Sequence, residues 1–239
     1  CVDQTKHLLE LEKAKVKEPT ARFKFVHKKV GKARGICIEQ NEMQFLQQAV
    51  KHGIYRYVEN HPSTKGRVNF SDQSVNARLA LENSKSRKMA TIDMSEASDR
   101  VHRHLVSYLF HGHELHDVLM ALSTRSIELP EGSQPSMIRI SKYAPMGSGL
   151  CFPIMSLVHW ALIRAIIHVS MLPNDFKRSV YVYGDDIIIP NECIEAVYTY
   201  LPLFGMKLNI DKSFYRSSFR ESCGVHAFNG VDITPVYVK

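Results

Sequence analysis

Two periods run through the apolar positions of this chain. A period of two marks strands and a spacing of three to four marks helices. Phe23 and Phe25, then Ile36 and Ile38, predict two strands around a basic loop, and Met89–Ile92 is a short apolar strand that runs straight into Asp93. Ser126 to Lys142 reads as a hairpin around Pro-Glu-Gly-Ser. Ser179 to Pro190 reads as a tighter one, with Val180, Val182 and Ile187 to Ile189 flanking the turn residues Gly184-Asp185. Helical spacing covers Met43, Leu46, Val50, Ile54 and Tyr57, and Val68 to Ala80 predicts a turn followed by a helix capped by Ser71 or Asp72. Ser95 and Glu96 open a further helix through Val101, Leu105 and Leu109. A charged helix is expected over residues 1–18, ended by Pro19, and the polar run ENSKSRK marks a boundary near residue 88. Asn191 to Phe204 predicts a helix, GMKLNIDKSF a strand with Lys207 and Lys212, and the C-terminal stretch a hairpin around Asn229-Gly230.

Composition narrows the classes. With 239 residues, 44% hydrophobic and 23% charged, the chain can bury a sizeable core, and disorder is not the default. The formal charge is +7. That surplus is local: Lys6 to Arg34 holds ten basic and three acidic residues, while the remainder has 21 of each sign. A basic excess at one end suggests a polyanion partner such as nucleic acid or a triphosphate. The five cysteines form no CxxC pair, which argues for reduced thiols and against a disulfide frame or zinc knuckle. No secretory signal opens the chain. Leu150 to Leu172 is strongly apolar but contains Pro153, His159, Arg164 and His168, so it reads as a buried helix and not a membrane span.

The candidate chemistry sits at loops. Asp185 and Asp186 lie side by side at a hairpin tip, where their repulsion is high unless cations are present. A solvated turn is the plain alternative, since Gly and Asp are common turn residues. Asp93, at the end of a strand before a helix, is placed as a ligand-binding carboxylate or as a helix cap. The loop with His27, Lys28, Lys29, Lys32 and Arg34 is a solvated hairpin or a cationic lip for triphosphate. Gly147-Ser148-Gly149 can bring backbone N–H groups and a hydroxyl to a sugar or phosphate, or simply precede a core helix. His102, His104, His111, His113 and His116 do not repeat a zinc pattern and are expected on a solvated or partly buried face. Trp160 is expected in the core.

The order of these parts is that of the template-directed RNA polymerases of positive-strand RNA viruses. KKVGKARGICIE (28–39), VNFSDQSVNARLA (68–80), ATIDMSEASDR (90–100), MGSG and its helix (146–165), YVYGDDIIIP (181–190) and FRESCGVHAFNGVDITPVYV (219–238) resemble the catalytic (β) subunit of levivirus replicases. The resemblance implies an α+β right-hand polymerase with an antiparallel palm sheet and packing helices, part of the fingers and little thumb. Residues 1–88 would be partial fingers with the basic nucleotide-entrance loop, and 89–239 the palm with a small fingers hairpin near 126–144. Replicase subunits of this group are longer at both ends, so the chain is expected to be a fragment.

That resemblance implies two-metal nucleotidyl transfer. Asp93, Asp185 and Asp186 would hold two Mg²⁺, with Mn²⁺ as a substitute, and Lys212 would be a general acid for pyrophosphate. Lys28, Lys29, Lys32 and Arg34 would face the triphosphate, and Gly147 and Ser148 the nucleotide. Ser98, Asp99 and Ser148 are the candidates for the ribose 2′-hydroxyl. Implied partners are RNA template and product, nucleoside triphosphates and host elongation factors Tu and Ts, without a membrane, in the cytoplasm of an infected bacterium. Alternatives are a reverse transcriptase, a mitovirus or narnavirus polymerase, and a non-catalytic RNA-binding fragment. The FRESCG ending favours the phage group over the other polymerases, and the three intact acids argue against a decayed remnant.

Overall fold

The structure is a computed structural model and describes residues 18–29 and 31–236. The helix expected over 1–18 therefore lies outside the described residues, apart from Glu18, which is in no element. The first elements are β1 (Thr20–Lys29) and β2 (Lys32–Ile38), antiparallel as expected. They join β4 (Ser126–Glu128) and β5 (Met137–Arg139) in one sheet of order β2-β1-β4-β5. The β1–β4 pairing is parallel, Thr20 to Ser126. It makes one sheet of two hairpins that lie about a hundred residues apart in the sequence.

A second sheet carries the acids. β3 (Met89–Ile92), β7 (Asp186–Pro190) and β6 (Tyr181–Tyr183) are antiparallel, with β7 in the middle. Ile187, Ile188 and Ile189 are all fully buried. A strand covered on both faces reads as a continuous β-branched run for this reason. One face is covered by α6 (Cys151–Val169), whose residues Ile154, Val158, Leu162, Ile163, Ile166 and Ile167 are in the main core. α6 is apolar and long enough to cross a membrane, but much of its surface is buried against the sheet and neighbouring helices. α1 (Asn41–Asn60) contributes Ile54 and Val58 to the same core.

Several elements differ from expectation. α2 (Ser74–Ser86) begins after Gln73, and Asp72 accepts a hydrogen bond from Ser74 N (2.9 Å). Ser71 is no cap: its hydroxyl and N–H both donate to Glu59 Oε1 at the end of α1. The ENSKSRK run is largely the last turns of α2, ended by Arg87 in the left-handed region, because α2 needs the length to pack on β7 and the C-terminal strands. The helix expected after Asp93 is broken into α3 (Ala97–Arg100) and α4 (Arg103–Phe110), because Val101 turns extended and its carbonyl accepts from Tyr143 N. α5 (Leu115–Ala121) follows. α7 (Asn174–Arg178) leads into β6, and α8 (Ile194–Tyr200) follows β7 with 3₁₀ turns on both sides.

GMKLNIDKSF is not a strand. It touches β3 and its extension through isolated bridges at Met94–Leu208 and Thr91–Phe214, and a 3₁₀ turn at Ile210–Lys212 interrupts it. The C-terminus is a three-stranded meander and not one hairpin: β8 (Phe219–Ser222), β9 (Val225–Phe228) and β10 (Val231–Asp232). Cys223-Gly224 makes the extra turn, with both residues at positive φ. Arg220, fully buried, donates to Met89 O (2.7 Å), Ser217 O (2.7 Å) and Phe219 O (2.7 Å), tying β8 to the start of β3.

Candidate active site

Register brings the acids together. Ile92 pairs with Ile187, so the next position outward on each strand is Asp93 on β3 and Asp186 on β7. Asp185 precedes Asp186 at the exposed turn. The turn needs Gly184: its φ is +67°, and an added Cβ would lie 2.5 Å from the Phe152 ring.

Each acid has its own surroundings. Asp93 Oδ2 accepts from Asn209 Nδ2 (2.7 Å), and the Asp93 N–H donates to Ser213 Oγ (3.3 Å). Burial pushes the Asp93 carboxyl up; Asn209 opposes this, Asp185 adds to it and the Lys212 ammonium opposes it again. The Asp186 carboxyl is pushed up to about 6, chiefly by burial, with Asp185 and Asp93 contributing and the Cys223 N–H and Ser222 hydroxyl opposing. Ser222 Oγ lies 3.1 Å from Asp186 Oδ1. The structure thus brings Asp93, Asp185 and Asp186 within electrostatic reach of one another, with Lys212 in reach of Asp93. Among the described residues, no group of three or more His, Cys, Asp or Glu side chains is arranged to hold a metal ion. The donor set is nonetheless all carboxylate oxygen, the chemistry of hard divalent cations.

The nucleotide candidates separate. Asp99 is paired with Lys142 Nζ (2.6 Å), and burial pushes the Cys151 thiol up to about 12, with nearby Ser98 opposing. Ser148 is buried, and its hydroxyl donates to Gln47 Oε1 (3.0 Å), which also accepts from Gly149 N (2.9 Å). Gly147 has φ +118° and lies so close to the Cys37 carbonyl that no side chain would fit. Arg34 is exposed on β2, while the side chains of Lys28, Lys29 and Lys32 lie outside the described residues. Trp160 is partly buried against the core with the Arg164 guanidinium 4.2 Å above its ring. His102 and His113 each accept from a backbone N–H two residues on, and His116 bonds Ser107 and Asp117. Cys37, Cys151, Cys193 and Cys223 are unbridged.

Sequence reasoning missed Asn209, Ser222 and the α6 residues Ser156 and His159, which hold the Gly184 turn. Only the last two left a signal: two polar residues three apart in the apolar first half of the helix, ahead of Arg164 and His168.

Residues 2–239 match the family described as RNA replicase, beta-chain. The chain belongs to this family. The RNA-directed RNA polymerase beta chain of Enterobacteria phage fr is 35% identical over 207 residues, covering 86% of this chain and 35% of that protein. The RNA-directed RNA polymerase subunit beta of Escherichia virus Qbeta is 36% identical over 172 residues, covering 72% of this chain and 28% of that one. The chain therefore spans about a third of the length of these curated relatives. The RNA-dependent RNA polymerase of a human picorbirnavirus superposes with a TM-score of 0.62 at 14% identity, over 92% of this chain and 46% of that one. Apo telomerase from Candida tropicalis gives 0.59 at 13%, over 95% and 58%. These two establish the fold: an α+β, palm-like polymerase architecture. The phage resemblance seen in the FRESCG ending is the one that the family match bears out.

Proposed function

We propose that this replicase chain supplies the catalytic palm and part of the fingers of an RNA-directed RNA polymerase that copies a positive-strand viral RNA genome, working as a segment of a longer subunit. The observation that carries the proposal is the convergence of Asp93, Asp185 and Asp186 at the exposed ends of the β3–β7–β6 sheet. Residues 1–88 and the hairpin near 126–144, whose strands share the β2-β1-β4-β5 sheet, are assigned to the fingers, and the rest of 89–239 to the palm. Substrates are RNA and nucleoside triphosphates. Family membership supports host elongation factors Tu and Ts as partners, and the phage relatives support the cytoplasm of an infected bacterium as the place of action.

Asp93, Asp185 and Asp186 would hold two Mg²⁺, or Mn²⁺ in their place. The chemistry supplied by such ions is activation of a 3′-hydroxyl and neutralisation of the departing pyrophosphate. Asp185, exposed at the tip, already acts electrostatically on the other two carboxylates. Asn209 fixes Oδ2 of Asp93 and Ser222 fixes Oδ1 of Asp186, so both carboxylates are oriented before any cation binds. Lys212, in the field of Asp93, is placed to give a proton to pyrophosphate. Lys28, Lys29, Lys32 and Arg34 draw in triphosphate. Asp99 reads the ribose once Lys142 is drawn off by phosphate, with Ser98 beside it. Ser148, held by Gln47, shapes the Gly147–Gly149 backbone and does not itself touch the sugar.

The test is templated extension by the full-length subunit with Mg²⁺. Asp185→Asn is expected to reduce incorporation by about 10³-fold or more. Equal incorporation by that variant removes the metal assignment. Deoxynucleotides in the same assay separate RNA synthesis from reverse transcription.

A further inference from the structure

Hairpin turns usually leave their backbone groups to water. The Gly184 turn does not. Phe152, Ser156 and His159 follow one another along one face of α6, four and three residues apart. The Gly184 N–H donates to Ser156 Oγ (3.1 Å), and the Ser156 hydroxyl donates to Phe152 O (2.8 Å). On the other side of the same residue, His159 Nδ1 lies 3.0 Å from Gly184 O. A carbonyl can only accept, so the imidazole proton is on Nδ1. Ser156 and His159 are both fully buried, and the Phe152 ring fills the space where a side chain at residue 184 would go. One helix therefore takes both polar groups of the Gly184 backbone and seats its Cα.

The other glycine turn nearby is different: nothing approaches within 4 Å of the Cβ position of Gly224. Burying a histidine inside an apolar helix is also costly, and His159 Nε2 is left with no partner at all. Leucine would serve packing better. The cost is intelligible if the backbone of this one turn has to be held still.

We infer that Ser156 and His159 are positioning residues that lock the Gly184 peptide, so that Asp185 and Asp186 keep a constant spacing as cations and nucleotides come and go. The inference rests on the polymerase reading of the same site. Its value to the reaction is geometric, since a displacement of about 1 Å at reacting groups can cost on the order of 10²-fold in rate.

The test uses the full-length subunit with two disruptive and two conservative variants. Ser156→Ala and His159→Leu each remove one bond to Gly184. Ser156→Thr keeps the acceptor, and His159→Asn keeps an N–H donor near the Nδ1 position. The metal-free readout is hydrogen exchange at the Gly184 amide, and the metal-loaded one is kcat and nucleotide KM for templated extension. Ser156→Ala is expected to speed Gly184 exchange about tenfold or more. Both disruptive variants are expected to lower kcat about 10- to 100-fold with KM changed less than about twofold. Ser156→Thr and His159→Asn should recover most of the kcat.

Faster Gly184 exchange with unchanged kcat overturns the inference, as does a loss of kcat that tracks melting temperature and is not rescued by threonine or asparagine. If His159→Leu does not fold, His159→Gln, which places its donor near the Nε2 position, provides the failing member of the pair against His159→Asn. Asp185→Asn is run alongside. Full activity in that variant removes the metal assignment and absence of templated extension by the wild type removes the polymerase reading, while the exchange result for Gly184 stands or falls separately.

Discussion

Two hairpins carry the charged groups assigned to catalysis, and they rest on very different foundations. The β6–β7 hairpin lies over α6 with Ile187, Ile188 and Ile189 fully buried and its turn glycine bonded on both sides. The β1–β2 hairpin is backed by a small cluster of Ala21, Cys37 and Ile127, and Phe25 on β1 is 65% exposed. The difference fits what the proposed function asks of each charge. Carboxylates that share a cation must be placed to within about 0.5 Å. Cations that attract a triphosphate act through a field that reaches about 8–10 Å, so small movements of their strand matter little.

The contrast breaks most sharply at Gly184. Gly184→Ala forces both a positive φ and a clash with Phe152, and should cost about 100-fold or more in extension and about 2–4 kcal/mol in stability by denaturant titration. Core truncations come next. Ile189→Ala is expected to destabilise by about 2–5 kcal/mol, whereas Phe25→Ala on the exposed hairpin should stay within about 0.5 kcal/mol. Comparable losses at the two sites would erase the distinction.

Acidity sharpens it further. Asp186 titrates near 6 in the folded chain against an ordinary value of 3.8, so between those values the folded state holds more protons than the unfolded one. Its contribution to stability is greatest below about pH 4 and is lost as pH rises through 6, by roughly 3 kcal/mol for about two pH units. Asp186→Asn should remove that slope from the metal-free protein, and Mg²⁺ should counter it in the wild type, both read as melting temperature against pH. The smallest effect is expected at Arg34. Arg34→Ala should raise nucleotide KM by about 3- to 10-fold at low salt, shrink toward no effect at high salt and leave stability unchanged.

Much of the core of this arrangement was legible in the residues. The β-branched run after Gly184-Asp185 specifies a buried central strand, and Met89–Ile92 specifies its partner ending in Asp93. Contacts between distant segments were not legible. The parallel pairing of Thr20 with Ser126 leaves no trace in either strand's pattern, since each already alternates with its own hairpin partner. The break between α3 and α4 depends on Tyr143 N, more than forty residues on, capturing a carbonyl that the helix would otherwise use. Asn209 stands in a stretch that alternates like a strand, yet its value lies in reaching Asp93 across the site. Cys223-Gly224 was overlooked because Asn229-Gly230 is the stronger turn signal and the residues between are equally strand-like.

Arg220 has a consequence for how the molecule comes apart. Its guanidinium, inside the protein, bonds carbonyls of residues 89, 217 and 219 and no carboxylate, and burial pushes its pKa down to about 10. Lysine lacks the planar fork needed to satisfy several carbonyls at once. Fraying the C-terminal meander would pull this guanidinium away with β8 and leave the Met89 carbonyl without its partner. The meander and the acid-bearing sheet are therefore expected to melt as one cooperative unit, so that a change in the last strands of the chain lowers the thermal limit of the strand that ends in Asp93.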